Sequence, residues 1–285
     1  MAKQRREEIM SAIKIMINGL PGNMARNVAE HAQKDNRLEL VKHSLTGPEI
    51  TDTQCTVDGI DISLILPDRR EAAIQEIINE EKAFISVDYT HPTAVVSNVE
   101  FYCKYGLPFV LGTTGGDRDT LNKLVTESSI PAVIAPNMGK QIVGFQAMME
   151  WSAAAFPHLF KGYTLDVTES HQQGKADTSG TAKAMVGYFN ALGVPYSADE
   201  IKKERDPHVQ KNQWGVPEDF LGGHGWHTYT LVSEDGTVKF QFTHNVNGRD
   251  IYARGTLDAI VFLAAKIEAH ERGRVFSMID VLKGV

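Results

Sequence analysis

Over the first half of the chain, short runs of β-branched and other apolar residues alternate with stretches whose apolar positions recur every three or four residues. Residues 13–17 read Ile-Lys-Ile-Met-Ile and end at Asn18-Gly19, after which 24–31 carry a helical pattern. The change of period repeats at an apolar stretch over 38–45, and again at 60–66, where Pro67 precedes a helical segment with Ala73, Ile74, Ile77 and Ile78. Apolar strands follow at 84–87, 108–111 and 132–135, separated by helical patterns over 93–105 and 117–128. This alternation predicts an α/β fold, a doubly wound parallel sheet with helices on both faces.

Past Gly139 the texture changes. Residues 143–156 and 179–192 read as helices and 163–169 as a strand, while 228–232, 238–245 and 251–256 alternate with the period of two of an antiparallel sheet with one wet face. Residues 257–269 are apolar and helical and are expected to pack back on the first domain. The expected division is 1–140 joined by 256–285, against 141–255. No repeat or low-complexity linker is visible.

Composition narrows the class of protein. With 42% hydrophobic and 23% charged residues in 285, the chain is neither collagenous nor predominantly disordered. A net charge of −7 argues against a nucleic-acid partner held on a broad basic face, so an anionic ligand needs a local basic pocket. Two cysteines, Cys55 and Cys103, show no C-x-x-C spacing, which fits a reducing compartment and gives neither a disulfide framework nor a thiolate metal site. Residues 1–12 mix Lys3, Arg5 and Arg6 with Glu7 and Glu8 and read as neither signal nor transit peptide. Apolar runs such as 260–265 fall far short of a membrane span. The expectation is a cytoplasmic protein with no membrane partner, plastidic only if a leader has been removed.

A first chemical constellation follows the first strand. Gly19-Leu20-Pro21-Gly22-Asn23-Met24 opens a helix with two glycines, which lets backbone amides and the helix dipole face a pyrophosphate. Pro21 stands where the usual fingerprint has its second glycine and has no N–H to offer; taken alone, the motif reads equally well as an ordinary strand-to-helix turn. A site preferring NADH carries an acid at the carboxyl end of the second strand. Glu39 comes too early, and the strand end offers Lys42, His43, Ser44 and Thr46 instead, so NADPH is expected to be preferred, with NADH possible. Thr90 in Asp88-Tyr89-Thr90-His91-Pro92, and Gly112, Thr113 and Thr114 in the next strand-end loop, supply hydroxyls and unobstructed amides suited to a nicotinamide ribose or carboxamide. For Thr114 a plain helix cap is the competing reading.

The second constellation is the stretch from Glu169 to Met185. His171 titrates near neutrality, Lys175 can stabilise negative charge, and Ser179-Gly180-Thr181 presents hydroxyls and bare amides at a helix start, together suiting a small anionic substrate. N-capping by Ser179 and a surface role for His171 are the bland alternatives; their clustering favours function. Arg249 can clamp a carboxylate or simply be solvated. His224 and His227, three apart on a strand, point to opposite faces, and no metal-ligand spacing occurs along the chain, so no metal is expected.

These motifs, with Val87-Asp88-Tyr89-Thr90, Ala135-Pro136-Asn137-Met138-Gly139-Lys140 and His244-Asn245-Val246-Asn247-Gly248-Arg249, resemble the 4-hydroxy-tetrahydrodipicolinate (dihydrodipicolinate) reductase family of lysine biosynthesis over nearly the whole chain. Met138-Gly139-Lys140-Gln141 and Glu169-Ser170-His171-Gln172 are similar to its plant-type branch. The resemblance implies a Rossmann-like cofactor domain and a smaller mixed α/β domain that binds a cyclic dicarboxylate and forms a homodimer or homotetramer. It implies hydride transfer from NAD(P)H to the dehydrated cyclic imine, with a proton delivered to the neighbouring ring carbon. His171 and Lys175 match the catalytic pair, and Gly180 and Thr181, with Ser179 before them, the substrate-carboxylate cradle; Pro136, Asn137 and Met138 join the cofactor site. Gln172 stands where bacterial members carry a second histidine, which leaves it only substrate positioning. The loop from Asp177 to Ser179 is one residue short, so Thr178 has no assigned role. Alternatives are another NADP-dependent amino-acid-pathway dehydrogenase and a non-catalytic NADP(H) sensor.

Overall fold

The computed structural model describes residues 12–284; the leader reading of residues 1–12 lies almost wholly outside them. The chain forms two compact units, one running to Met138 and resuming at Tyr252, the other comprising Gly139–Ile251.

The first unit begins with β1 (Ile13–Asn18), whose last four residues are buried, followed by α1 (Asn23–Ala32) and β2 (Leu38–Leu40). The stretch expected as one strand over 38–45 is in fact two. Val41 N–H still bonds to Ile15, but the Lys42 carbonyl accepts from Ser63 N–H, so β3 (His43–Leu45) leaves the main sheet for a side sheet with β4 (Gln54–Val57) and β5 (Ile60–Ile65). The β4–β5 hairpin closes through Asp58-Gly59 at φ 43° and 81°, the pair of positive angles that a two-residue hairpin turn requires.

The chain then winds through α2 (Arg70–Glu81), β6 (Ile85–Asp88), α3 (Val95–Tyr105), β7 (Phe109–Leu111), α4 (Arg118–Thr126) and β8 (Ala132–Ile134).

The second unit consists of α5 (Lys140–Ala155), β9 (Tyr163–His171), α6 (Gly180–Ala191), β10 (Lys202–Glu204), a single turn α7 (Pro207–Val209) running into a π-helical turn at Gln210–Trp214, β11 (His224–Ser233) and β12 (Lys239–Asn247). Its sheet runs β10-β9-β11-β12, parallel between β10 and β9 and antiparallel elsewhere. Met149 and Ala153 of α5 and Ala182, Met185, Val186 and Phe189 of α6 bury the sheet's Val167, Tyr229 and Leu231.

Residues 251–256, expected as a strand, lie in α8 (Asp250–Glu268). Ala253, Thr256, Leu257, Ile260 and Leu263 are all buried, so the three-to-four spacing of the terminal helix reaches back past the apparent alternation. β13 (Val275–Phe276) and α9 (Met278–Lys283) complete the first unit.

The main sheet has the order β13-β8-β7-β6-β1-β2 and is parallel throughout. The chain direction across it reverses between β1 and β6, the switch point outside whose strand ends such sheets bind ligands.

Gly59→Ala tests the hairpin. Nothing lies within 4 Å of the added carbon, so the cost is backbone strain alone, roughly 1–2 kcal/mol. A thermal melt should fall by a few degrees; an unchanged midpoint would remove the turn's angles from the account.

Candidate functional site

The first candidate site lies at the carboxyl ends of the main sheet. Gly19 turns the chain at φ 101°, and a Cβ there would collide with the Tyr89 carbonyl. Gly22 N–H bonds back to the Gly19 carbonyl, and α1 starts with no side-chain cap, leaving the first-turn amides and the helix dipole for an anion. Pro21, Gly22, Asn23 and Met24 are at least partly accessible, whereas Leu20 is buried and anchors the turn in the core.

Beside this turn, Met24, Thr90, Gly112, Thr113, Thr114, Pro136, Asn137 and Met138 share one cleft of about 410 Å³, completed by Tyr89, Pro92 and Tyr252. A Cβ on Gly112 would strike the Tyr89 ring. Thr256 donates its hydroxyl proton to the Tyr252 carbonyl, so its oxygen accepts from Tyr89, whose phenol burial pushes up to about 12.

Two expected ligands behave otherwise. Ser44 is fully buried and its hydroxyl accepts from Leu20 N–H, while Thr46 donates to the Ile65 carbonyl, so both brace the backbone instead of presenting hydroxyls to a cofactor. The hydroxyls of Thr90 and Thr113 are also engaged, both by Asp88. Thr114 is exposed and does not cap α4; Asp117 does, accepting from Thr120 N–H at 2.9 Å.

Asp88 is the residue that sequence reasoning missed here. It is 0% exposed. One carboxylate oxygen accepts from Thr90 N–H, Thr90 Oγ1 and Thr113 Oγ1, at 3.1, 2.8 and 2.7 Å; the other accepts from Asn98 Nδ2 and Tyr102 Oη at 3.0 and 2.7 Å. Five donors compensate for lost hydration and fix two cleft loops to one atom group. Burial first, and the Asp88 charge next, drive the Tyr102 phenol well above its ordinary range, so it remains a donor.

The second candidate site grows from the end of β9. On the helix-covered face, the apolar pair Val167 and Tyr229 gives way to a polar row in which Glu169, His227 and His244 lie side by side on β9, β11 and β12. His171 follows two residues on, opposite Gly225, whose missing side chain makes room: a Cβ there would come within 3.0 Å of the His171 ring. His171 Nδ1–H donates to the His224 carbonyl at 2.9 Å, leaving Nε2 as the nitrogen that gains or loses a proton. Burial is the main cause lowering the His171 pKa; it also lowers His244 to about 4 and His227 to about 2, with neighbouring positive charges and imidazoles adding to the effect on His227.

The loop carrying Lys175 is held by Arg205. Its guanidinium bonds to the Lys175 carbonyl at 2.8 Å, the Glu204 carbonyl at 2.9 Å and the buried Glu169 carboxylate. Gln210, fully buried, donates to the His171 carbonyl at 2.7 Å. Lys175 Nζ lies 2.8 Å from Asp177. Ser179 does not cap α6 with its side chain; its N–H donates to Glu169 at 3.0 Å. Gly180 is exposed, and Thr178, Thr181 and Gln172 are half-buried. Arg249 lies over Gly223, before β11. His224 points to the opposite face, as its spacing predicts, where it accepts from Ser170 Oγ and donates to the Phe220 carbonyl.

Glu169, Arg205 and Gln210 were not foreseen, because their partners come from other strands. Nor was the convergence of Glu169, His171 and His227, whose ligand atoms lie within 4.8 Å of one another; spacing along the chain conceals a cluster assembled by strand register.

A Rossmann-like sheet with a glycine turn at its switch point, joined to a mixed-sheet unit bearing a histidine–lysine loop, defines a dinucleotide-dependent oxidoreductase. The sequence profile described as "Dihydrodipicolinate reductase, N-terminus" matches residues 13–138, and that described as "Dihydrodipicolinate reductase, C-terminus" matches 142–282. The chain belongs to the dihydrodipicolinate reductase family, on its plant branch. It is 47% identical over 273 residues to 4-hydroxy-tetrahydrodipicolinate reductase 2, chloroplastic, of Arabidopsis thaliana, covering 96% of this chain and 78% of that protein. To the 4-hydroxy-tetrahydrodipicolinate reductase of Dechloromonas aromatica it is 30% identical, over 96% and 99% of the two chains. The solved dipicolinate-bound dihydrodipicolinate reductase from Paenisporosarcina sp. TG-14 shares the fold, with a TM-score of 0.65 at 18% identity over 93% of this chain and 97% of that one. No helix among the described residues is long and apolar enough to cross a membrane.

Asp88→Asn should cost roughly 2–4 kcal/mol, since an amide nitrogen must face a donor in place of a charged acceptor. Urea unfolding should show a lower midpoint at an unchanged slope, and cofactor titration a weaker affinity. Stability equal to the parent would show the network to be dispensable.

Proposed function

We propose that this protein reduces 4-hydroxy-tetrahydrodipicolinate, by way of its dehydrated cyclic imine, to tetrahydrodipicolinate in the diaminopimelate route to lysine. The observation that carries the reading is the loop between β9 and α6, where His171, Lys175 and an uncapped helix start occur together.

The first unit offers what a dinucleotide needs: a turn where Gly19 admits no side chain, open first-turn amides, and a cleft cleared by Gly112. When bound there, NAD(P)H supplies the hydride. Ser179, Gly180 and Thr181 receive a substrate carboxylate at the positive end of α6, and Gln172 and Arg249 are further substrate contacts. Lys175 stabilises the charge that develops on the ring, and His171 Nε2 carries the proton delivered to the ring carbon next to the reduced one. Gln172 cannot transfer a proton, because an amide has no accessible pKa.

NADPH is preferred. Glu39 pairs with Lys14, five residues below Gly19 and so about 16 Å from the turn at strand spacing. At the level of the turn the neighbouring backbone is that of Leu45, which accepts from Gly19 N–H, and the segment from Val41 to Gly47 contains Lys42 and His43 and no acid. The second unit self-associates, to a dimer or tetramer, through apolar surface that includes Trp151 at 64% and Phe240 at 43% exposure.

Fluorescence titration should give tighter binding of NADPH than of NADH. The opposite order would refute the strand-end argument and direct attention to Glu49, the next acid along the chain.

His171→Gln and Lys175→Ala should each lower kcat by about 10²- to 10⁴-fold, with NADPH affinity retained. In His171→Gln, binding of pyridine-2,6-dicarboxylate should also persist. Substrate is generated freshly by the preceding synthase and turnover followed by NADPH absorbance. A near-normal kcat would remove that residue from the chemistry, and no NADPH consumption by the parent protein would refute the function itself.

A further inference from the structure

The row on β9, β11 and β12 contains polar groups for which the fold provides no partner. His171 Nε2 and both ring nitrogens of His227 are buried without a hydrogen bond among the described residues, and His227 is only 4% exposed. Glu169 Oε2 lies 3.8 Å from His227 Nε2, and one ligand atom from each of Glu169, His171 and His227 falls within 4.8 Å of the other two. We infer that these three side chains form a binding site for one divalent transition-metal ion of zinc's class, and that an ion bound there blocks turnover by occupying His171.

The donor set selects the ion. Two imidazoles and one carboxylate suit zinc and its first-row neighbours, whereas magnesium and calcium take oxygen ligands. Three protein ligands also leave a coordination position open, as in zinc sites that bind water or substrate.

The surroundings are those that orient metal ligands. His171 Nδ1–H is held by the His224 carbonyl, which leaves the unpartnered Nε2 as its ligand atom, and Glu169 is braced by Arg205 on one oxygen and by Ser179 N–H on the other. His244 stacks on His227 with centroids 4.6 Å apart and supports the ring from the far side. His224 takes no part, being bonded on the opposite face to Ser170 and Phe220. Ligands on one zinc stand about 3.3–3.6 Å apart when bonds are about 2.0–2.2 Å and tetrahedral, so from the present 3.8 Å between Glu169 and His227 and at most 4.8 Å overall, binding draws the groups together by no more than about 1.5 Å.

An ion on Nε2 takes the lone pair that must accept and pass a proton, so a metal-bound His171 cannot serve the reduction. This antagonism rests on the role proposed above for His171; the binding site does not.

The full-length protein, stripped with EDTA, is titrated with zinc chloride by calorimetry and with cobalt(II) by absorption, alongside His227→Gln. One ion per chain is expected, with affinity reduced about tenfold or more in the variant, and intense visible cobalt bands of a low-coordinate site in the parent only. Parent turnover should fall as zinc binds and return on EDTA, while the variant requires correspondingly more zinc. Equal zinc affinities in the two proteins, or only the weak cobalt bands of an octahedral complex in the parent, would overturn the site. If circular dichroism shows the variant unfolded, the parent's cobalt spectrum decides alone. One zinc bound through His227 with turnover undiminished would keep the site and overturn the antagonism, and loss of catalysis in His171→Gln, measured without metal, then shows whether the function proposed for His171 still stands.

Discussion

A carboxylate shut away from water persists only where the fold brings donors to both of its oxygens, and that constraint organises each unit of this chain. Asp88 at the end of β6 is fully buried and gathers donors from its own loop, from the loop after β7 and from α3. Glu169 on β9 is equally buried and draws on Arg205, beyond β10, and on Ser179 at the start of α6. In both cases the acid touches no solvent, yet it sets where the side chains that face the candidate ligand come to rest. Removing either charge therefore acts on the site and on stability together.

Much of the fold was legible because its strongest signals are local. β1, β6 and β7 are short apolar runs that end at Asn18, Asp88 and Gly112, β8 is another apolar run, and the helices between them show apolar stripes, so the alternation of β1, α1, β6, α3, β7, α4 and β8 can be read directly. What escaped is decided by tertiary choice. Nothing in 38–45 marks the place where the chain leaves one sheet for another, since the handover occurs through the partners of Val41 and Lys42. The Asp58-Gly59 hairpin did carry a local signal, a two-residue turn of the favoured type between alternating residues. In 251–256, a short segment satisfies both periods, and only the continuation to Leu263 distinguishes helix from strand.

The candidate site divides along the same line. Glycines, His171, Lys175 and the threonine loops were visible because turn chemistry and titratable side chains stand out in a linear reading. Asp88 is legible only as one residue of a loop, since burial, not identity, makes a carboxylate an organiser. Arg205, Gln210 and His227 reach the β9 loop only through strand pairing and the turn after β10. Ser44 and Thr46 lie level with the Gly19 turn as expected, and there their hydroxyls bond to backbone, an engagement that the linear reading does not reveal.

The serines of this chain make a last point about how a helix start is kept available. Ser277 caps α9 with its hydroxyl in a reciprocal arrangement with Asp280, and Ser197 does the same for a shorter turn with Glu200. Ser179 occupies the equivalent position before α6 and makes no such bond. A serine cap contributes about 1 kcal/mol, so a serine that forgoes it leaves stabilisation unclaimed within the protein. Glu169, on β9, accepts the Ser179 N–H as Asp280 and Glu200 do for the two capping serines, but here the hydroxyl gives no bond in return. The first-turn amides of α6 thus remain for an incoming anion, which can provide the cap the serine withholds. The acid that holds the loop and the uncapped helix start thus meet at a single residue, Ser179.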